Sequence, residues 1–417
     1  MDKNLKIVVF ASSLHNKETL LETRSVLFNE LRSVFDVELI ESSKIEDLCS
    51  TGNLVIAFIA TGGVEESFAK HYKELSNPIV ILSDSFHNSL AASLEIATWL
   101  NSSDIRHKHI NFPIEPSRKY LEELEEELSE LQKIQSANYK LSKTVVGLIG
   151  GESSWLISSK VNLDPVKKRF GTKFKEIPIS KLQMLFENEG RLDTCSKSLL
   201  SNLIPQKEVD RSESDIMEAL KLYNSLKKLI TEYDLNALTI KCFDLLSSCK
   251  TTPCLALSLL NDNGVVSGCE GDIPSLWSML ISRTLCDSAS FMANPSSIER
   301  GDSSIDFAHC TAPISLSKSF KLPSHYESKI GIGVAAQFPL GKYTLFKCGG
   351  QNLDKFYAFE GDIIQNTSVI ERCRTQVKFQ FKSVSEIDEF LESYIGNHAI
   401  LIPGKHKKEL SDFFKLY

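Results

Sequence analysis

The chain has 417 residues, of which 42% are hydrophobic and 24% are charged, the balance of a globular protein with two or three domains. A net charge of −7 argues against the basic face that a general nucleic-acid binder requires. No apolar run approaches the ~20 residues that span a bilayer, and the chain starts without an apolar signal segment. We therefore expect a cytoplasmic protein without nucleic-acid or membrane partners.

The cysteines are scattered and form no C-x-x-C pair, which argues against a structural zinc site. We expect most of them to be small buried side chains. Their positions are 49, 195, 242, 249, 254, 269, 286, 310, 348 and 373.

The first part of the chain alternates apolar runs with helical patterns, which predicts an α/β domain with a parallel sheet over residues 1–142. The predicted strands are 5–11, 37–40, 53–61 and 78–83, and the predicted helices are 17–34, 65–75 and 87–99. A charged helix, 118–139, has leucines at helical spacing and is expected to connect this domain to the next.

Gly62 and Gly63 lie between a predicted strand and a predicted helix. Such a pair can cradle an anion, or it can simply form a turn that needs positive φ. The dinucleotide fingerprint G-x-G-x-x-G is absent, and both interpretations stay open.

The rest of the chain predicts a second α/β domain and a C-terminal domain. The second α/β domain covers 143–250 and shares the following residues, up to about 312, with the start of the C-terminal domain. Its predicted elements are the strands 143–151, 174–179 and 238–242 and the helix 215–233. The C-terminal domain, 251–417, ends in short strands that are typical of an antiparallel barrel or sandwich. These strands are 330–338, 343–348, 355–360 and 376–381, with helices at 385–394 and 407–414 and a last strand after Gly396.

Polar residues follow the predicted strands of the stretch 251–313. The apolar run 255–260 ends at Asn-Asp-Asn-Gly, a hairpin signal, so we expect it to be a strand. A second strand, 265–269, leads to Glu270 and Asp272, a third ends at Asn294, and a fourth ends at His309. Because α/β proteins build ligand sites at strand ends, we expect a site here.

Glu270 and Asp272 are the first candidates for chemistry, because a carboxylate at a strand end can bind a divalent ion or act as a general base. Asp272 also fits the N-cap of the following helix, with Pro274 in its first turn, so both roles remain open for it. Glu270 precedes the cap and has no evident structural role, which favours a functional one.

His309 and His398 each lie at the end or start of an apolar strand. Either could be a core histidine, but two histidines and a carboxylate at strand ends form a reasonable metal-site hypothesis. Cys310 does not pair with His309 as a nucleophile, because neighbours in a strand point to opposite faces.

Four motifs resemble the C-terminal part of the L-fucose isomerase and L-arabinose isomerase superfamily, in particular its shorter fucose-isomerase-like members. The motifs are Cys269-Glu270-Gly271-Asp272, the strand Phe291-Met292-Ala293-Asn294, Ala308-His309-Cys310, and Gly396-Asn397-His398 followed by Pro403-Gly404. Their common order is more specific than any single motif.

The resemblance implies a site that binds Mn²⁺ or another divalent cation. Its metal ligands would be Glu270, Asn294 and His398. The catalytic pair would be Glu270 and Asp272, and His309 and Trp155 would contact the substrate. Asn294 occupies the position of a family aspartate; its amide can coordinate a metal but carries no charge, so we expect weaker metal binding.

The resemblance also implies two Rossmann-like α/β domains followed by a C-terminal domain with an antiparallel β-barrel, and assembly as a homo-oligomeric trimer or hexamer. In such an assembly Gly62, Gly63, His87 and Asn88 would contact the substrate of a neighbouring subunit.

The function expected from this resemblance is a metal-dependent interconversion of an aldose and a ketose, on a sugar or modified sugar, through an ene-diol. Two alternatives remain: another sugar conversion on the same scaffold, such as epimerisation or C–C cleavage, and a catalytically silent sugar-binding protein, which the uncharged Asn294 makes reasonable.

Overall fold

The computed structural model describes residues 4–48 and 52–417, so Cys49 and the start of the chain before Asn4 lie outside the described residues. The chain divides into two compact units, Met1–Lys140 with Asp412–Tyr417, and Leu141–Ser411. None of the helices described is long and apolar enough to cross a membrane.

The first unit is built on five parallel strands in the order β2-β1-β3-β4-β5, a doubly wound arrangement. Alternate residues of β1 point to opposite faces: Leu5 and Ile7 belong to one buried cluster, and Val8 and Phe10 to another. The strands are β1 (Asn4–Phe10), β2 (Asp36–Glu41), β3 (Leu54–Ile59), β4 (Ile79–Ser83) and β5 (His107–Asn111), and the helices are α1 (Lys17–Glu22), α2 (Ser25–Val34), α3 (Glu65–His71), α4 (Ser89–Ser102) and α5 (Arg118–Lys143).

The single helix predicted over 17–34 is wrong, because Arg24 interrupts it. Arg24 has φ −109° and separates α1 from α2. Its guanidinium turns into the interior, where Nε lies 2.5 Å from Oδ2 of Asp84 and the other nitrogens donate to the carbonyls of Leu20 and Ala60. The buried ion pair between Arg24 and Asp84 therefore interrupts the helix that the sequence pattern predicts. Strand β5 was not predicted.

The second unit begins with a four-stranded parallel sheet in the order β7-β6-β8-β9. Its strands are β6 (Val145–Ile149), β7 (Lys173–Ile177), β8 (Ala237–Ile240) and β9 (Val266–Gly268). Its helices are α6 (Leu163–Phe170), α7 (Ile179–Glu187), α8 (Thr194–Leu203), α9 (Glu213–Tyr233), α10 (Leu245–Cys249), α11 (Cys254–Asp262) and α12 (Ile273–Leu285).

The strand expected at 255–260 is also wrong, because this run lies within helix α11. Every residue from Cys254 to Leu260 is buried. A short, completely buried run carries no periodic signal that separates a strand from a helix. The following strand, β9, pairs in parallel with β8, so no hairpin forms at Asn261–Gly264.

Six antiparallel strands then close into a barrel in the order β10-β11-β16-β15-β14-β17. Strand β10 does not end at Asn294 as expected but continues to Glu299, with a register irregularity between Pro295 and Ser297. The remaining elements are β10 (Phe291–Glu299), β11 (Ser304–His309), β12 (Ser319–Lys321), β13 (Ala335–Gln337), β14 (Gly341–Gly349), β15 (Lys355–Asn366), β16 (Thr375–Gln380), α13 (Val384–Ser393), β17 (Ala399–Pro403) and α14 (Lys407–Leu416).

The expected α/β class, with parallel sheets and an antiparallel β-barrel, is confirmed. Of the run 330–338, only β13 is a strand, and it pairs with β12 outside the barrel. Six of the nine described cysteines are buried, as expected for small core side chains.

Candidate functional site

Three side chains of the second unit bring metal-ligand atoms together. The donor atoms of Glu270, His309 and His398 all lie within 4.8 Å of one another. The Nε2 atoms of both histidines lie 3.6 Å from Oε1 of Glu270, and the two rings meet edge to face. Three residues at strand ends thus form one cluster, although Glu270 and His398 are 128 positions apart in the sequence.

Glu270 reaches the cluster from an unusual backbone. Glu270 and Gly271 follow β9 with φ values of 62° and 63°. The Gly271 amide donates to the carbonyl of Ile240, and a Cβ on Gly271 would lie 2.5 Å from the carbonyl oxygen of Gly151. Glycine is therefore required beside Glu270, and the left-handed conformation of Glu270 is the kind of local strain found at functional sites.

The barrel supplies the other groups from three neighbouring strands. Strand β10 lies between β11 and β17. Ala293 pairs with Ala399, so extending this register by one residue places Asn294 opposite His398. On the other side Asn294 pairs with Ala308, next to His309. Barrel closure therefore brings together an amide and two imidazoles that the sequence separates.

Asp272 holds His398 in place and also caps a helix. Its Oδ2 lies 2.8 Å from Nδ1 of His398, and both side chains are completely buried. Its Oδ1 accepts the backbone amide of Ser275 as the N-cap of α12. The ammonium of Lys347, also completely buried, lies 3.3 Å from Oδ2. Such a carboxylate fixes the ring of a metal-binding histidine and its tautomer.

Electrostatics keep both carboxylates ionised. Burial opposes the charge on Asp272, but Lys347 and His398 hold its pKa well below the usual range. Burial likewise opposes the charge on Glu270, yet the imidazoles of His309 and His398, each 3.6 Å from its Oε1, lower its pKa. Burial disfavours the protonated form of His398, but the carboxylates of Asp272 and Glu270 together outweigh it and raise the pKa of His398. Glu270 thus has the charge state required of a base or a metal ligand.

Two buried polar atoms at the cluster have no hydrogen-bond partner within the described part of the chain: Nε2 of His398 and Oδ1 of Asn294. Buried polar atoms usually have a partner, so these two are available to a ligand that binds at the cluster. Two imidazoles, a carboxylate and an amide oxygen suit a divalent first-row metal ion. The residues present therefore fit the cation that the sequence motifs implied.

A pocket opens beside this cluster, and Glu270, Asn294 and His309 line it. Its walls also include His325, Glu327 and Phe243, together with five cysteines at positions 242, 254, 269, 310 and 373. Asp272 and His398 do not line the pocket, since they lie behind Glu270 in the interior. Of the two carboxylates predicted to be catalytic, Glu270 therefore lines the pocket and Asp272 does not.

His325 is the main pocket residue that sequence reasoning missed. Burial and the neighbouring His309 lower the pKa of His325 to about 4, and its Nδ1 lies 2.9 Å from Oγ of Ser328. His325 lies in an irregular segment between β12 and β13, where no periodic pattern or motif marks it. Only the folded arrangement identifies it as a neutral polar group of the pocket.

Trp155 does not line the pocket, in contrast to the expected substrate contact. Its indole is 45% exposed and packs edge-on against Phe243 at 5.3 Å. Phe243, which follows strand β8, lines the pocket and separates Trp155 from the pocket interior. Trp155 therefore supports the pocket wall through Phe243.

The four predicted contacts in the first unit lie on two adjacent loops, one after β3 and one after β4. The amide of Gly62 donates to the carbonyl of His87, and Gly62 also lies close to the Asn88 side chain. Gly63, His87 and Asn88 all have positive φ. This geometry agrees with the turn interpretation of Gly62-Gly63, and a substrate role for these four residues stays a prediction.

Comparison with known proteins finds relatives among sugar isomerases. The sulfoquinovose isomerase of Alkalicoccus urumqiensis is 20% identical over 70% of this chain and 68% of its own length. Those of Priestia aryabhattai and Clostridium sp. (strain MSTE9) are 24% and 30% identical and cover 50% and 46% of this chain. The chain spans 48% and 44% of the length of these last two relatives.

No protein-family model matches the chain. A solved structure, D-threo-3-hydroxyaspartate dehydratase from Delftia sp. HT23, aligns with 96% of this chain and 83% of its own at 10% identity. Its TM-score of 0.14 is too low to indicate a common fold.

Proposed function

We propose that the protein is an aldose–ketose isomerase that acts on a modified sugar. The convergence of Glu270, His309 and His398 in one cluster, from which Glu270 and His309 face the pocket together with Asn294, is the observation that carries this proposal. The similarity to sulfoquinovose isomerases supports the same reaction class. Sulfoquinovose is accordingly the first substrate to test.

We further propose that the reaction depends on a divalent cation such as Mn²⁺. Glu270, His309 and His398 would hold it, and the amide oxygen of Asn294 would add a fourth donor. This assigns His309 the ligand role of the two-histidine metal-site hypothesis, in addition to the substrate contact also expected from the sequence. When bound, the ion would polarise the sugar carbonyl as a Lewis acid.

Glu270 is the group proposed to move the proton. Its ionised carboxylate lines the pocket, so it can take a proton from C2 of the aldose and return it to C1 through an ene-diol. Asp272 is not suited to share this task, because Ser275, Lys347 and His398 enclose its carboxylate. We assign Asp272 a positioning role toward His398.

His325 is proposed as the second polar group that the substrate meets. A low pKa keeps its ring uncharged at neutral pH, and Nδ1 is engaged by Ser328. A neutral imidazole can donate or accept a hydrogen bond to a sugar hydroxyl. This role replaces the one that sequence reasoning gave to Asp272.

The direct test is product analysis with the purified protein, Mn²⁺, sulfoquinovose and a panel of uncharged aldoses. We expect NMR to detect a ketose, and Glu270→Gln to keep the fold while losing about 10²- to 10⁴-fold in rate, the usual contribution of a general base. Lys342→Met, which changes an exposed ion pair away from the pocket wall, is a control for nonspecific effects. A Glu270→Gln enzyme with wild-type activity would remove the basis of the proposal.

A second candidate function, a silent sugar-binding protein, is favoured by one observation: position 294, on the pocket wall beside the proposed metal ligands, carries no charge. Asn294→Asp separates the two. In a working isomerase the added carboxylate should tighten Mn²⁺ binding, because it neutralises more of the cation's charge. A sugar-binding protein should bind its sugar equally well with and without Mn²⁺ and with either residue.

We also propose a homo-oligomer, a trimer or hexamer, which the resemblance of the four motifs supports. Light scattering of the full chain measures its mass directly. A monomer at micromolar concentration would remove the proposed contribution of Gly62, Gly63, His87 and Asn88 to a neighbouring site.

A further inference from the structure

Three residues outside the proposed active site converge elsewhere in the second unit. Cys286 is the C-cap of α12, His406 directly precedes α14, and Glu409 lies in the first turn of α14. Their sulfur, ring nitrogen and carboxylate oxygen all lie within 4.8 Å of one another. Neither the four sequence motifs nor the proposed reaction uses any of these side chains.

His406 is held in one orientation. Its backbone amide donates to Oγ1 of Thr344, and its Nε2 lies 2.7 Å from the carbonyl oxygen of Pro403. Gly404 permits this arrangement: it has φ 99°, and a Cβ there would lie 2.9 Å from Nε2. Since a carbonyl oxygen only accepts, Nε2 must carry the hydrogen.

Nδ1 of His406 then faces Oε1 of Glu409 at hydrogen-bond distance. With the hydrogen of the neutral ring on Nε2, a lone pair would face a carboxylate. A cation between the two removes this conflict, either a second proton on the ring or a metal ion. A metal ion bound by this pair would also lie within reach of the sulfur of Cys286, which a shared proton would not involve.

We propose that Cys286, His406 and Glu409 form a second metal site, which takes zinc or a similar divalent cation. Thiolate, imidazole and carboxylate are the three side-chain ligands of zinc, and a metal-binding histidine usually donates its other N–H to a backbone carbonyl or carboxylate. The contact between His406 and Pro403 has this form.

Burial agrees with such a site, and the spacing requires a side-chain adjustment. Tetrahedral zinc, with bonds of about 2.0 to 2.3 Å, places its ligand atoms roughly 3.3 to 3.8 Å apart. Nδ1 of His406 and Oε1 of Glu409 lie closer than this, so the two side chains would move apart when the ion binds. The His406 and Glu409 side chains are each 17% exposed, which leaves a fourth position within reach of water. The ion would link the end of α12 to the start of α14 and stabilise the folded chain by mass action.

The test uses Co²⁺ alone with the full, reduced protein, because cobalt reports a bound thiolate by sulfur-to-metal charge-transfer absorption. We expect this absorption in the wild type, its loss in Cys286→Ser, and its retention in the control Cys195→Ser, which removes an exposed thiol. It should also persist in His398→Ala, which impairs the proposed active-site metal.

Zinc stoichiometry gives an independent readout: Cys286→Ser should bind one ion fewer per chain than the wild type, whether or not the active site is loaded. If Cys286→Ser does not fold, Glu409→Gln should lower the affinity by more than about tenfold, the loss seen for even an outer partner. Absence of the absorption in the wild type, or its persistence in Cys286→Ser, would overturn the proposal and leave a protonated His406–Glu409 pair.

Discussion

Nδ1 of His398 lies 2.8 Å from Oδ2 of Asp272, and neither side chain is exposed to solvent. The carboxylate fixes the ring so that Nε2 points toward Glu270, at 3.6 Å from its Oε1. Asp272 therefore acts on the proposed metal site through His398, and it does so from the N-cap of α12.

Replacing Asp272 by Asn tests this relationship. The amide keeps the size of the side chain but removes the charge that orients His398, so we expect Mn²⁺ affinity to fall by about 10- to 100-fold. Isothermal titration with Mn²⁺ measures the change. Ser275→Ala, which removes a hydroxyl partner of Asp272 and leaves the carboxylate, should bind Mn²⁺ nearly as the wild type does. Equal affinity in Asp272→Asn would contradict the positioning role.

Replacing Lys347 is a second test of the same buried network around Asp272. Lys347 is completely buried on β14, and burial lowers its pKa, although the Asp272 charge opposes this shift. Removing one partner of a buried ion pair leaves the other charge uncompensated, so Lys347→Met should reduce the free energy of unfolding by about 3 kcal/mol.

Lys342 offers a matched control on the same strand. Its ammonium is 2.7 Å from Oδ2 of Asp362, but the lysine side chain is 59% exposed. An exposed pair of this kind contributes about 0 to 1 kcal/mol, so Lys342→Met should hardly change denaturant unfolding. Equal losses of unfolding free energy in Lys347→Met and Lys342→Met would show that the buried pair contributes no more to stability than the exposed pair.

The partly buried environment of His109 predicts that the stability of the first unit depends on pH. Its Nε2 lies 2.8 Å from Oγ of Ser83 on the neighbouring strand. Burial, and then the charge of His107, lower the pKa of His109 below 6.5. Between the lowered pKa and 6.5 the unfolded chain binds more protons than the folded chain, so stability falls as the pH falls through this window.

The variant His109→Asn removes this titration. We expect the stability advantage of the wild type over the variant to be full at pH 7.5 and smaller at pH 5.5, as measured by urea unfolding at both values. Wild type and variant with parallel pH profiles would show that His109 is protonated equally in both states.

The sequence predicts much of the site but not its assembly. Glu270 and His309 could be placed at strand ends and His398 at a strand start, because an apolar run stops or begins there, whereas β10 continues beyond Asn294. Their convergence depends on the pairing of β10 with both β11 and β17, a closure between segments about a hundred residues apart, which local patterns do not encode.

Other features escaped prediction for different physical reasons. Helix α11 is buried on all sides and so lacks a helical stripe, and Arg24 breaks a helix through an ion pair with the distant Asp84. His325 lies in irregular structure, and Cys286 meets His406 only in the folded unit. In each case tertiary contacts, rather than propensity, determine the outcome.

The proton transfer by Glu270 is tested most directly by running the reaction in D₂O. Isomerisation through an ene-diol passes the proton through the Glu270 carboxylate, where it can exchange with solvent. We predict deuterium at C1 of the ketose formed by the wild type, and no incorporation above background with Glu270→Gln. A ketose formed without any deuterium, or incorporation that persists unchanged in Glu270→Gln, would contradict the account.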